Sequence, residues 1–222
     1  MILVKLHSNF HGIASAAIFL IAAANSSAQS VFYSNLGAAN SFTTSSGRAV
    51  GGPTATIQNY PAYSFVAGLT GAVDSIDLAL SSDFASTINV SLTTAVPNTG
   101  FGSGAIQPGN VLGSWNVSPG VQPALLTISG ISGVSLSSGQ TYFIKLNATG
   151  SNFAIWWQNS IGTTSVLNQC SSSNCTGFIS FPSIANSAMR IQAAPIPEPS
   201  TYALLAMGLG SLMLLRARSK RD

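Results

Sequence analysis

The side chains able to do chemistry in this chain are few. Its 222 residues hold five acids, eight bases and two histidines, and only 6% of them are charged. Both histidines, His7 and His11, lie in a leading segment expected to be removed on export. The remainder of the chain offers no imidazole for a Ser-His-Asp triad, a Cys-His pair or a His-containing zinc site. Two carboxylates flanking a sugar are the one hydrolytic arrangement still open, with Asp74, Asp77 and Asp83 as candidates for a secreted glycoside hydrolase. Asp74 and Asp77 stand three apart, so a continuous strand sends them to opposite faces. Asp77 and Asp83 approach each other only across a hairpin. Solvated turn and strand carboxylates are the plainer expectation, and no catalytic residue is assigned. No metal site or cofactor is expected. The weak exception is calcium on Asp74 or Asp83 with backbone carbonyls, since no Asp-x-Asp-x-Asp loop is present. Gly100–Gly104 lacks a strand–helix setting and reads as a loop, not a phosphate cradle.

Two further kinds of side chain remain. Cys170 and Cys175 bracket four residues, and two cysteines in an exported chain are expected to form a structural disulfide. The spacing is not Cys-x-x-Cys, so a redox role is the lesser alternative. Trp115, Trp156 and Trp157 are candidates for stacking on a sugar ring. Adjacent Trp156 and Trp157 must face opposite sides of one strand, so one belongs to the core. Packing of these rings inside the protein is the competing expectation. Asn-x-Ser/Thr occurs at Asn89, Asn116, Asn147 and Asn174, at a frequency expected by chance in so polar a chain.

The elements that must position these groups are short and β-like. Ile76, Leu78 and Leu80 alternate with Ser75, Asp77 and Ala79, and Ile88, Val90 and Leu92 alternate with Asn89, Ser91 and Thr93. Period-two alternation marks half-buried strands, and 81–87 is expected to close a hairpin between them. Further strands are expected at 63–66, 111–117, 125–128, 141–146, 153–157, 177–181 and 188–193. No segment between the two ends has helical periodicity. The fold class is therefore all-β: an antiparallel β-sandwich, jelly-roll-like, over residues 29–194.

The ends read as addresses. Lys5, the uncharged run 12–24 and the small residues Ser26-Ser27-Ala28 predict a signal peptide over 1–28, cleaved before Gln29. Residues 195–222 begin Pro195-Ile196-Pro197-Glu198-Pro199-Ser200. Fourteen uncharged residues come next, over 202–215, and are expected to form a single short transmembrane helix. Arg216, Arg218, Lys220 and Arg221 then form a basic stop expected to stay cytoplasmic. As a helix the run covers about 21 Å against a hydrocarbon core of about 30 Å, a marginal permanent anchor. The basic residues sit mostly in these ends. Gln29–Pro199 contains three bases and four acids, a net charge of −1, so the chain has no electrostatic footprint for nucleic acid.

Pro197-Glu198-Pro199-Ser200, an apolar run with Gly208 and Gly210, and an Arg/Lys tail together resemble the PEP-CTERM sorting domain. That resemblance implies recognition by an exosortase, with Pro197, Glu198 and Pro199 as the sorting motif. It further implies a Gram-negative host and an inner-membrane-tethered precursor bound for the cell surface or the exopolysaccharide matrix. The body is similar to the choice-of-anchor R family over roughly 32–160. Tyr33–Gly37, Val50-Gly51-Gly52, Ser75–Ser81, Val111–Val117, Ser138–Phe143 and Ala154–Trp157 carry the likeness, which implies an exported surface domain without a known activity. The functional expectation is a non-enzymatic structural or glycan-binding component whose partners are an exosortase and exopolysaccharide or another surface glycan. A hydrolase using the three aspartates, or a subunit of a surface assembly joined through strand edges, are the alternatives.

Overall fold

The computed structural model of the protein describes residues 29–82, 86–98, 106–170, 178–195, 205 and 207–211. The chain divides into two units, one comprising Ser30–Ala194 and the other the two ends, Met1–Gln29 and Pro195–Asp222.

Among the described residues the first unit contains thirteen strands: Val31–Ser34 (β1), Phe42–Gly51 (β2), Tyr60–Val66 (β3), Gly71–Ser82 (β4), Ile88–Pro97 (β5), Ile106–Val117 (β6), Ala124–Ile128 (β7), Ser135–Leu136 (β8), Thr141–Ala148 (β9), Phe153–Asn159 (β10), Thr164–Cys170 (β11), Ile179–Ala185 (β12) and Met189–Ala193 (β13). A 3-10 turn at Ala38–Asn40 is its only helical element among the described residues. A seven-stranded sheet runs β1-β13-β4-β10-β2, with β7 and β8 also paired to β4. A six-stranded sheet runs β12-β11-β3-β9-β5-β6. Every pairing between named strands is antiparallel.

Alternation decides which side chains meet between the sheets. Ile76, Leu78 and Leu80 from β4 join Tyr63 and Phe65 from β3, Val90 and Leu92 from β5, and Ile144 and Leu146 from β9 in one buried cluster. This is the two-layer packing expected of a sandwich. Trp156 sits in that core, its ring 5.2 Å from Tyr63 in an edge-on arrangement. Its indole N–H donates to the Ala188 carbonyl, so the one polar atom of the ring is satisfied.

Strand β4 organises the seven-stranded sheet because twelve residues are long enough to take two partners on each side. Residues 73–78 pair with β13 and 80–82 with β10 along one side. Along the other, 71–72 pair with β8 and 76–80 with β7. The expected hairpin between β4 and β5 is not formed. β4 belongs to one sheet and β5 to the other, so this connection crosses the sandwich. Alternation specified two half-buried strands and carried no information about which sheet each would join. Successive strands mostly change sheets and the first strand pairs with the last, in the manner of a jelly roll.

In the second unit, Leu205 and residues 207–211 are helical. Among the described residues no helix is long and apolar enough to cross a membrane. Most of the transmembrane helix expected over 202–215 lies outside the described residues, and its fourteen residues fall short of a full span. The predicted signal peptide, residues 1–28, lies outside the described residues.

Candidate functional site

Asp77 is the most heavily engaged of the candidate carboxylates. It points away from the inter-sheet core, opposite to Ile76 and Leu78, yet its side chain is only 1% exposed. Register places Thr127 of β7 on one side of it and Arg190 of β13 on the other. Thr127 Oγ1 donates to Oδ1 at 2.6 Å, and Arg190 Nε and Gln192 Nε2 donate to Oδ2 at 2.7 and 2.9 Å. Arg190 is itself oriented by Nη1, which donates to Asn40 Oδ1 in the 3-10 turn. A buried carboxylate with three donors is a cross-strand tie. It presents no free oxygen edge to a substrate. Asp74 lies where the register between β4 and β13 shifts, and its carbonyl accepts from the Ile131 amide. Asp83 is outside the described residues. Among the described residues no group of three or more His, Cys, Asp or Glu side chains is placed to hold a metal.

The tryptophans separate by face. Trp156 is fully buried in the core, and Trp115 is partly buried against the same core. Trp157 takes the outer face of the seven-stranded sheet and is half-buried. Its indole N–H donates to Ser81 Oγ at 3.0 Å, which fixes the plane of the ring. Gly47 lies directly opposite it on β2, and a Cβ there would press against the side chains of Ile155 and Trp157. The ring lies over the strand because that neighbour has no side chain.

Cys170 is buried at the end of β11 and is disulfide-bonded. No free cysteine occurs among the described residues. Its expected partner, Cys175, lies outside them. Cys170 belongs to a small second apolar cluster with Tyr60, Ala62, Phe143 and Phe178, on the outer face of the six-stranded sheet. Asn98 and Ser180 clasp the cover of this cluster: Asn98 Nδ2 donates to Ser180 Oγ, which donates to Asn168 Oδ1.

Lys145 was not singled out from the sequence. It stands mid-strand on β9, on this same outer face, half-buried between Ala62 and Ser91 of the flanking strands. Burial pushes its ammonium pKa below the ordinary lysine value. Its signal was a lone charge inside the otherwise uncharged alternating run Thr141–Ala148.

Fold and site together define an antiparallel β-sandwich followed by a proline-led, basic-ended extension. A family model of the PEP-CTERM protein-sorting motif matches residues 195–221, and the chain carries that motif. It is therefore an exported protein handled at the membrane, with processing by an exosortase implied. Pro197, Glu198, Pro199, Arg216, Arg218, Lys220 and Arg221 all fall inside the matched span and outside the described residues. No curated protein matches the chain. The likeness of the body to choice-of-anchor R is not shown by these comparisons.

Proposed function

We propose that the chain is a non-enzymatic component of the cell surface or exopolysaccharide matrix. It is exported by its signal peptide, held at the inner membrane by 202–215, and released or transferred by an exosortase acting near Pro197-Glu198-Pro199. The observation that carries this reading is the sorting motif over 195–221 attached to a self-contained sandwich. A structural or glycan-binding role is supported by Trp157, the one candidate ring on an outer face, held by Ser81. A non-hydrolytic role is supported by the engagement of Asp77 in a tie between three strands. Intact masses of the surface-associated protein should lack Arg216–Asp222 in a host with exosortase. In a host without it, or with Glu198→Ala, the full-length form should accumulate in the inner membrane. A surface form that keeps Arg216–Asp222 in the competent host would show the tail to be an anchor and defeat the sorting reading.

A second reading, assembly through strand edges, is supported by β6. This twelve-residue strand ends the six-stranded sheet and carries no Lys, Arg, Asp or Glu to discourage pairing. Sedimentation that stays monomeric over a wide concentration range would remove it.

A further inference from the structure

Three cations lie between Ser30 and Ala194: Arg48, Lys145 and Arg190. Arg190 is paired with Asp77. Lys145, in the middle of the six-stranded sheet, has no hydrogen-bond or ion-pair partner among the described residues. A half-buried ammonium without a counter-ion is costly, and such groups are kept where something external pairs with them.

The surroundings of Lys145 are hydroxyls and amides in register across three strands. Ser114, Ser91 and Lys145 form one row of directly opposed residues. Asn116, Asn89 and Asn147 form the next, two residues along each strand. The side chains of β5 and β6 in these rows are already locked together. Asn89 Nδ2 donates to Asn116 Oδ1 at 3.0 Å, while Ser91 Oγ and Ser114 Oγ both donate to Asn89 Oδ1. Ser114 and Asn116 are exposed. Two buried oxygens on this face, Asn147 Oδ1 and Thr93 Oγ1, have no partner, and Thr93 is 2% exposed. The face thus has a pre-set polar row and one unpaired positive charge.

We propose that this open part of the outer face, centred on Lys145, binds an acidic polysaccharide. Lys145 takes a carboxylate of the chain, and the exposed Ser114 and Asn116 meet its ring hydroxyls. Adjacent strands stand roughly 4.8 Å apart, close to the length of one pyranose unit, so successive sugars meet successive strands. The sandwich sets three acids against its three cations, so it has no net positive field to hold a densely charged polyphosphate, whereas a single unpaired ammonium suits a chain with separated carboxylates. This inference rests on the glycan-binding part of the proposed function and names its ligand class and its face.

The probe is polygalacturonate, compared with the same polymer after reduction of its carboxyl groups, using the full chain in detergent. The wild type is expected to bind the acidic form roughly tenfold more tightly than the reduced one, as a charged hydrogen bond would give. Lys145→Gln should erase that preference with unchanged melting temperature, and Lys145→Arg should restore it. Binding of the acidic polymer unaltered by Lys145→Gln overturns the proposal. So does equal binding of both polymers; if that binding is lost with Trp157→Ala, glycan binding stands and only this face is wrong. Binding of neither polymer overturns both. If Asp83→Asn shifts the titration of Lys145 in the free protein, the lysine has an internal partner and the proposal fails.

Discussion

At the scale of single residues, the charged groups of the sandwich do unequal things. Asp77 and Arg190 are a tie between strands, with the carboxylate buried and the guanidinium partly exposed. Removing one member strands the other in a poorly solvated site. Asp77→Ala should therefore cost about 3 kcal/mol in urea unfolding, toward the lower end for a broken buried pair because Arg190 still reaches solvent and Asn40. A loss under about 0.5 kcal/mol, the level of a surface substitution, would place the tie among the negligible pairs. Lys145 behaves differently because nothing in the described structure balances it. Its proton is held less tightly in the folded chain than in the unfolded one, where the ordinary value of 10.5 applies. Between the lowered value and 10.5 the unfolded chain binds more protons, so stability should rise with pH across that window. Burial raises Tyr60, on the same face, above its unfolded value of 10.0, so it opposes this gain above pH 10.0 but does so equally in wild type and variant. Unfolding free energies of wild type and Lys145→Met should accordingly diverge in favour of the wild type as pH climbs toward 10.5. Parallel curves would mean the ammonium is effectively solvated.

At the scale of elements, what the sequence disclosed depended on alternation. β4, β5, β9 and β13 each contain a stretch in which apolar side chains alternate with polar or small ones, and so were readable as strands even though most of β4 is buried on both faces. β2 was not, since Phe42–Gly51 is mostly Thr, Ser and Gly and buries only its last two residues. β11 was missed for a related reason, its Asn and Gln masking the inward Leu167. Pairing was less readable still, because Asp77 meets Arg190 and Thr127 from strands 113 and 50 positions away. No local spacing encodes such partners. The sorting motif, by contrast, is contiguous and lay open to inspection. Gly51-Gly52 also acquires a meaning only in three dimensions. A Cβ on Gly51 would overlap the Ile57 carbonyl, and one on Gly52 would overlap the Gly150 carbonyl. Gly51→Ala should thus destabilise by about 2 kcal/mol through overpacking against backbone, and Gly120→Ala, with open space around it, should not. Equal melting temperatures for the two variants would contradict the close approach. For Cys170, pairing with Cys175 closes so short a loop that Cys175→Ser should loosen the end of β11 while costing only about 2 kcal/mol. Mass spectrometry that alkylates both cysteines without prior reduction would refute the bridge.

At the scale of the whole molecule, a two-sheet sandwich continues into a sorting tail. The two ends of the sandwich meet. The Ala193 amide donates to the Ser30 carbonyl, and β13 runs between β1 and β4. The tail leaves from the strand so enclosed, one residue after the Ala194 amide donates to the Ala72 carbonyl. This has a mechanical consequence. If the sandwich is gripped by matrix while Pro195 is still tethered, the pull is delivered to an interior strand bonded along both sides. A pull along that strand loads its ladder bonds together in shear, and they must yield as a group rather than peel one by one from an edge. The tail is thus joined to a strand paired on both sides and not to a sheet edge.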